Sequence, residues 1–363
     1  MKVDVSIINS SLDLKALKIM QEKSLVFIDK QAVNAAYFYA YDEARKLKSD
    51  WSYYFGDLKV TKLNDIKRRF LEIGTPKTLM YKEGKISLSE EVIENLIAQN
   101  DYPDSKKAAE VFKKQNNLAS IIKNLKQYTE LPQARDQSYQ GHDMYIAKPK
   151  WELLKTHRMS ASNPSLQNVP RDFQNIYTSP KGFIPMFSDS SQIEPRIIYS
   201  VYVKDPNFLK LLNMYEDTYH AMYHFAITDD YSKPVDMDKE SRNRIKLYSN
   251  KFNYGGTPDT SDDLQMKFYR KIAKHPKRLQ WQEEAYGYIN NGHLTTTNFF
   301  GVEIELVNKD NWYYKLKDSD DPREQSVYKA HLVRCYINNK VQSTAASLMN
   351  YSIMYANGIL TGL

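Results

Sequence analysis

The chain is poor in the features that mark secreted or membrane-bound proteins. Its 363 residues include one cysteine, Cys335, which excludes an internal disulfide and suits a reducing compartment. No apolar run approaches the ~20 residues that a helical membrane span needs. Met1-Lys2-Val3-Asp4 does not open a secretory signal, so a cytoplasmic location without a membrane partner is expected. Internal repeats and low-complexity tracts are lacking as well.

What is present is an ordinary soluble composition, 42% hydrophobic and 26% charged, on a chain long enough for two or three domains. The formal net charge of +7 and the pI of about 9.0 fit a nucleic-acid partner, but the excess is mild for this length. The 28 tyrosines can stack on bases, although most tyrosines are amphipathic packing residues.

The first 130 residues read as helices. Val33, Ala36, Tyr37, Ala40, Tyr41, Ala44 and Leu47 recur at steps of three and four. Ser87 and Glu90 have capping-box spacing ahead of Val92, Ile93, Leu96 and Ile97. Ala108, Val111, Phe112, Leu118, Ile121, Ile122 and Leu125 mark a long helix whose outer face carries Lys106, Lys107, Lys113, Lys114, Lys123 and Lys126. A solvated face and a backbone-phosphate surface both fit that face. A polar, irregular stretch is expected over 131–148, and a short buried strand over 183–187 leading into Asp189. Pro195 places a helix start there, since proline is tolerated in the first turn. Residues 229–238 and 318–323 read as loops. Val302, Ile304 and Leu306 alternate with Glu303 and Glu305 as in a strand, with Gly301 at a hairpin turn.

Two segments carry chemistry. Ser188-Asp189-Ser190-Ser191-Gln192-Ile193-Glu194-Pro195-Arg196 offers carboxylates where a strand hands over to a helix. Further on, Arg242, Lys246, Asn250 and Tyr254 stand at four-residue steps, one stripe along a helix. Two cations at i and i+4 repel by a few tenths of a kcal/mol, roughly, which makes sense if a polyanion lies across both. A metal-binding carboxylate beside a cationic clamp is what phosphoryl transfer from a nucleoside triphosphate requires. Each residue also has a plainer reading. Asp189 can be a surface aspartate ending a strand, Glu194 a carboxylate favouring a helix dipole, and Arg242 and Lys246 a solvated basic face.

In this order the segments resemble family A DNA polymerases. The resemblance begins at Arg158-Met159-Ser160-Ala161-Ser162-Asn163-Pro164-Ser165-Leu166-Gln167-Asn168-Val169-Pro170. Ser188 to Arg196 is similar to motif A, Arg242 to Gly255 to motif B, and Arg334-Cys335-Tyr336-Ile337-Asn338-Asn339-Lys340-Val341-Gln342-Ser343-Thr344-Ala345-Ala346 to the later palm segment. Weaker similarity reaches back to Thr75-Pro76-Lys77-Thr78-Leu79, so nearly the whole chain is covered.

The resemblance implies an α+β, mostly helical right hand with a small antiparallel palm sheet. Its parts would be 1–150 helical thumb and start of palm, 151–212 palm with motif A, 213–325 fingers with motif B, and 326–363 a return to the palm. Asp189 and the Ser190 carbonyl would hold metal, with two Mg²⁺ ions in the complete enzyme. Glu194 would be a steric gate against a ribose 2′-hydroxyl. Gln192, Glu194, Arg242, Lys246, Asn250 and Tyr254 would bind dNTP, and Lys246 would also be catalytic, protonating pyrophosphate. Arg158, Asn168, Gly255, Arg334, Asn338 and Gln342 would bind primer–template DNA, with Arg158, Asn338 and Gln342 in the minor groove, where acceptors recur in every base pair.

The chain also departs from the pattern. Asn250 stands where the family has Phe or Tyr, and Glu303 and Glu305 stand where it more often has basic residues. Tyr219 aligns with a family histidine, leaving His220 one step away. Motif C, a His-Asp-Glu hairpin, is expected shortly after the Gln342 helix but is not reached by Leu363, and the expectation is of a piece without an exonuclease domain ahead of the thumb. The expectation is a bacteriophage-like polymerase piece, nearly inactive alone and completed by a C-terminal fragment carrying motif C. In a phage it would work in the host cytoplasm. The competing readings are a non-catalytic primer–template binding fragment and an RNA polymerase of the same superfamily.

Overall fold

The computed structural model describes residues 10–82, 85–131, 144–180, 182–184, 189–256, 258, 262–307 and 312–361. The fold is mostly helical, with small antiparallel sheets. The chain divides into two compact units. The first comprises Met1–Lys23, Trp151–Ser160 and Phe187–Leu363; the second comprises Ser24–Lys150 and Ala161–Met186.

In the second unit, Val26–Asp29 is the central strand of an antiparallel sheet, between Met144–Ala147 and Tyr177–Thr178. Asp29 ends that strand and caps the next helix, Lys30–Lys46, its Oδ1 accepting from the Ala32 amide at 2.8 Å. Val33, Ala36 and Ala40 form the buried stripe of this helix. They face the long helix Pro103–Thr129 across cores that include Leu118, Leu125 and Tyr128. A second core gathers Phe55, Phe70 and Phe112, with Phe55 and Phe70 edge-to-face at 5.4 Å.

In the first unit, one large core joins helices Pro206–Met214, Thr218–Ile227, Lys239–Asn253 and Pro276–Asn290 to the 40-residue helix Pro322–Thr361. The strands Thr295–Thr297 and Glu303–Glu305 pair as the alternation predicts. Val302, Ile304 and Leu306 are buried, and Gly301 turns with φ of 81°. Asn298 donates to Ser343 and Ser347, both at 3.0 Å, anchoring this hairpin to one face of the long helix.

Several local expectations need correction. The first 130 residues are not all helical, because Val26–Asp29 is a strand and Tyr81–Lys82 pairs with Lys85–Ile86. The Ser87–Glu90 capping box does not form. The helix runs Glu90–Ala98 from Ser89, and the Ser87 hydroxyl accepts from the Ser89 amide instead. Met144–Ala147, inside the stretch expected to be irregular, is a sheet strand because its apolar residues complete the core beside Ile28. Phe183 and Ile184 are exposed by 73% and 91% and are not strand, while residues 185–187 of that expectation lie outside the described residues. The 318–323 loop ends earlier, as the long helix begins at Pro322. On the lysine face, Lys113 pairs with Glu94 at 3.0 Å, Lys114 with Glu43 at 3.3 Å, Lys107 with Glu110 at 3.6 Å and Lys126 with Glu130 at 3.7 Å. Much of its charge is therefore already compensated.

Candidate functional site

The Asp189 segment lies in the first unit. Asp189 and Ser190 are exposed, and a helix begins at Ile193 with Pro195 in its first turn. It runs into a π-helical turn, Ile198–Val203, that buries Tyr199. Gln192 precedes the helix in the left-handed region at φ of 52°, a strained conformation for a residue with a side chain. Its amide group offsets that strain. Nε2 donates to Asp217 Oδ1 and Oε1 accepts from the Thr218 amide, both at 2.6 Å.

Glu194 is about one-quarter exposed and is held from two sides. One carboxylate oxygen receives the Arg158 guanidinium and the other receives the Tyr254 hydroxyl. Burial first, then the Glu194 carboxylate, pushes the Tyr254 phenol well above its usual range, so it remains a donor at neutral pH.

The helix Lys239–Asn253 is capped by Asp238, whose side chain accepts from the Ser241 amide at 2.6 Å. Ile245, Tyr248, Ser249 and Phe252 face the core, which turns Arg242, Lys246 and Asn250 the other way. Lys246 and Asn250 are exposed, with no side-chain partner among the described residues. Arg242 is not free. Its Nε donates to Asp217 Oδ2 at 2.6 Å, and its guanidinium lies 5.4 Å from the Tyr219 ring centre. The repulsion expected between two stacked cations is thus relieved in part by the protein itself.

Asp217 escaped the reading of the sequence. It caps the helix Thr218–Ile227 and connects Gln192 with Arg242 through one carboxylate. The signal was a helix-capping Asp directly before Thr218. Tyr219 occupies the place beside Arg242. His220 stacks on Tyr215 at 4.1 Å and bonds the Val235 carbonyl at 2.6 Å.

The stripe ends differently from a continuous helical row, since Tyr254 follows the last helical residue. Gly255, at φ of 90°, donates to the Phe252 carbonyl at 3.3 Å, and Gly256 donates to the Lys251 carbonyl at 2.9 Å. This paired closure is a Schellman motif. A Cβ on Gly256 would stand 2.6 Å from Lys251 Cγ and 2.7 Å from its carbonyl oxygen, so a side chain is excluded. A Cβ on Gly255 would lie 3.6 Å from Arg334 Cγ, which brings the motif B end beside the long helix. Arg334, Asn338 and Gln342 follow at four-residue steps there, with Arg334 exposed and Asn338 Oδ1 buried without a hydrogen-bond partner among the described residues. Asn168 belongs to the second unit, where its side chain donates to Ser165 Oγ at 2.7 Å.

Among the described residues, no group of three or more His, Cys, Asp or Glu is placed to hold a metal. Asp189 still fits a hard divalent cation in kind, as an exposed anionic oxygen donor next to the Ser190 backbone. Mg²⁺ is commonly held by one or two carboxylates together with substrate phosphates and water, not by a full protein cage. No helix among the described residues is long and apolar enough to cross a membrane.

Residues 42–361 match DNA polymerase family A, and the chain belongs to that family. It is 25% identical over 203 residues to the DNA polymerase I of Aquifex aeolicus (strain VF5), an alignment covering 55% of this chain and 32% of that protein. It is similar in fold, with a TM-score of 0.72 and 15% identity, to the POL domain of Pol1 from M. smegmatis in complex with DNA primer–template and dNTP. That likeness covers 98% of this chain and 60% of the solved one, so the chain spans only part of both relatives.

Proposed function

We propose that the chain is the nucleotide-adding part of a template-directed DNA polymerase. The observation that carries the reading is the direct linkage of motif A to the cationic helix within one unit, Gln192 to Asp217 to Arg242 and Glu194 to Tyr254.

In this reading the incoming deoxynucleotide lies along the Arg242, Lys246 and Asn250 face. Arg242 exchanges part of its bond with Asp217 for phosphate oxygens, which accept its planar fork well. The primer 3′-oxygen attacks the α-phosphorus, the bond to pyrophosphate breaks, and the hydroxyl proton passes to solvent water. Lys246 donates a proton to the departing pyrophosphate. Asp189 and the Ser190 carbonyl would hold divalent metal, which when bound lowers the pKa of the 3′-hydroxyl and neutralises developing phosphate charge. Glu194, fixed by Arg158 and Tyr254, rejects a ribose 2′-hydroxyl by a clash. Arg158, Asn168, Gly255, Arg334, Asn338 and Gln342 grip the primer–template, with the side-chain amide N–H groups of Asn338 and Gln342 donating to minor-groove acceptors.

The second reading is a non-catalytic primer–template binding fragment. It is favoured by the lack of any three-member metal cluster among the described residues. Primer extension with Mg²⁺ separates the two. The assay uses the chain alone and the chain mixed with a polypeptide bearing a His-Asp-Glu hairpin, each as wild type and as Asp189→Asn. Extension that falls about 10³-fold in Asp189→Asn, equivalent to several kcal/mol of metal-assisted stabilisation, supports the polymerase. Tight primer–template binding without extension in any mixture supports the binding fragment. Faster use of ribonucleotides than of deoxynucleotides would favour an RNA polymerase.

A further inference from the structure

The helix that carries Arg242 and Lys246 ends against a buried cation that none of the roles above uses. Arg278 is only 5% exposed and makes no ion pair with any carboxylate among the described residues. It sits in the first turn of the helix Pro276–Asn290, the positive end of the helix dipole, where a cation is least welcome. Burial of an unpaired charge there has a large desolvation cost, so its contacts must be strong ones. One guanidinium nitrogen donates to Asn253 Oδ1 at 3.0 Å, and another donates to the Phe252 carbonyl.

Both acceptors belong to the last turn of Lys239–Asn253. The Phe252 carbonyl is one of the oxygens that a helix end leaves short of partners, and it lies at the negative pole of that helix. It also accepts from the Gly255 amide inside the Schellman closure. Asn253 is equally occupied. Its Oδ1 accepts from Tyr199 as well, at 2.9 Å, and its Nδ2 donates to Ser249 Oγ at 2.9 Å. Tyr199 lies five residues beyond Glu194 on the continuous helical segment that starts at Ile193. The end of the cationic helix is therefore joined to the Glu194 segment twice, through Asn253 to Tyr199 and through Tyr254 to Glu194.

We infer that Arg278, acting through Asn253 and the Phe252 carbonyl, is a positioning residue that sets where the cationic helix stops and so holds Tyr254 on Glu194. If the helix end frayed, the backbone geometry that directs the Tyr254 ring toward the carboxylate would no longer be fixed. The inference rests on the polymerase reading for its effect on nucleotides, but the brace itself is a statement about the helix end.

Hydrogen exchange of the 252–256 amides tests the brace in the full chain without any catalysis. Arg278→Met is expected to raise exchange of the Gly255 and Gly256 amides tenfold or more, with the far-ultraviolet circular dichroism unchanged. Arg278→Lys, which keeps one charged donor, is expected to recover part of the protection. Equilibrium binding of a complementary deoxynucleoside triphosphate to the chain on a dideoxy-terminated primer–template is expected to weaken about tenfold in Arg278→Met, while primer–template binding stays the same. In an extending mixture the loss falls on KM for nucleotide, not on kcat. A folded Arg278→Met with wild-type exchange and nucleotide affinity overturns the inference. If that variant does not fold, Asn253→Ala takes its place, since it removes the shared acceptor and leaves the bond to the Phe252 carbonyl. Wild-type exchange in Asn253→Ala then overturns the inference equally. A loosened helix end in a chain whose wild type binds no nucleotide keeps the brace and sinks the polymerase reading.

Discussion

The Tyr254 hydroxyl donates to the carboxylate of Glu194, 60 residues earlier in the chain. Arg158 takes the other oxygen, so the carboxylate is fixed in direction as well as place. A side chain held in this way can act by shape. Glu194→Ala is expected to lower the preference for deoxynucleotides over ribonucleotides by roughly tenfold to a few hundredfold, the range that loss of a steric contact covers. The ratio of kcat/KM values for the two sugars is the measurement, and an unchanged ratio would remove Glu194 as the filter.

Asn250 stands exposed on the same helix face as Lys246, without a side-chain partner among the described residues. An aromatic ring there would add a face for the incoming sugar. Asn250→Tyr is therefore expected to tighten nucleotide binding by about 1 kcal/mol, near fivefold, and to change the preference between deoxy and dideoxy substrates. Competition between the two in a primer-extension ladder reads the second effect directly, and identical ladders from both proteins would refute it.

His157 bonds the nearly inaccessible Asp13 at 2.7 Å through Nδ1 and the Glu303 carbonyl at 3.0 Å through Nε2. Asn350 donates to the other Asp13 oxygen at 2.6 Å. The Asp13 hydrogen bond raises the His157 pKa above the usual 6.5, against an opposing effect of burial. The imidazolium is thus favoured in the folded state. Its contribution is fully present below the unfolded value and fades as pH rises through the raised folded value. His157→Asn, which tolerates the φ of 60° at this position, is expected to cost about 1.5–3 kcal/mol at pH 6 and less at pH 9. Denaturant midpoints across that range decide it, and a difference that grows toward pH 9 would reverse the assignment.

Gly256→Ala places a methyl group within 2.6 Å of Lys251 Cγ and 2.7 Å of its carbonyl oxygen. The oxygen is backbone and cannot swing aside, so the Schellman closure must open. A loss of about 1–3 kcal/mol is expected, as for other overpacked sites. Thermal unfolding measures it, and a melting temperature within a degree of wild type would show that the closure tolerates a side chain.

Elements governed by neighbours in sequence were legible in advance. The three- and four-step spacing of Val33, Ala36 and Ala40 located a helix whose buried face is theirs. The alternation around Ile304 located its hairpin strand, since period-two burial needs only the next few residues. Short strands were harder. Met144–Ala147 is four residues long and is a strand because Val26–Asp29, more than 100 positions earlier, supplies its hydrogen bonds. The Ser87–Glu90 spacing failed for a comparable reason, because the helix starts two residues later, with Ser89 at its N-cap.

At the candidate site the residue types and their order were visible in the linear chain: Asp189, Glu194, the Arg242–Lys246 pair and the polar positions along 334–342. Chemical identity and local period are properties of the chain itself, and they placed it in its family. Which charges are already spoken for was decided by packing alone. Asp217 meets Arg242 and Gln192 across 25 positions, and Arg278 meets Asn253 across another 25. Asp13 meets Asn350 across 337. Such pairs leave no periodic mark in sequence, because a hydrogen bond requires two groups within about 3 Å, and only the assembled core brings helices from distant parts of the chain that close.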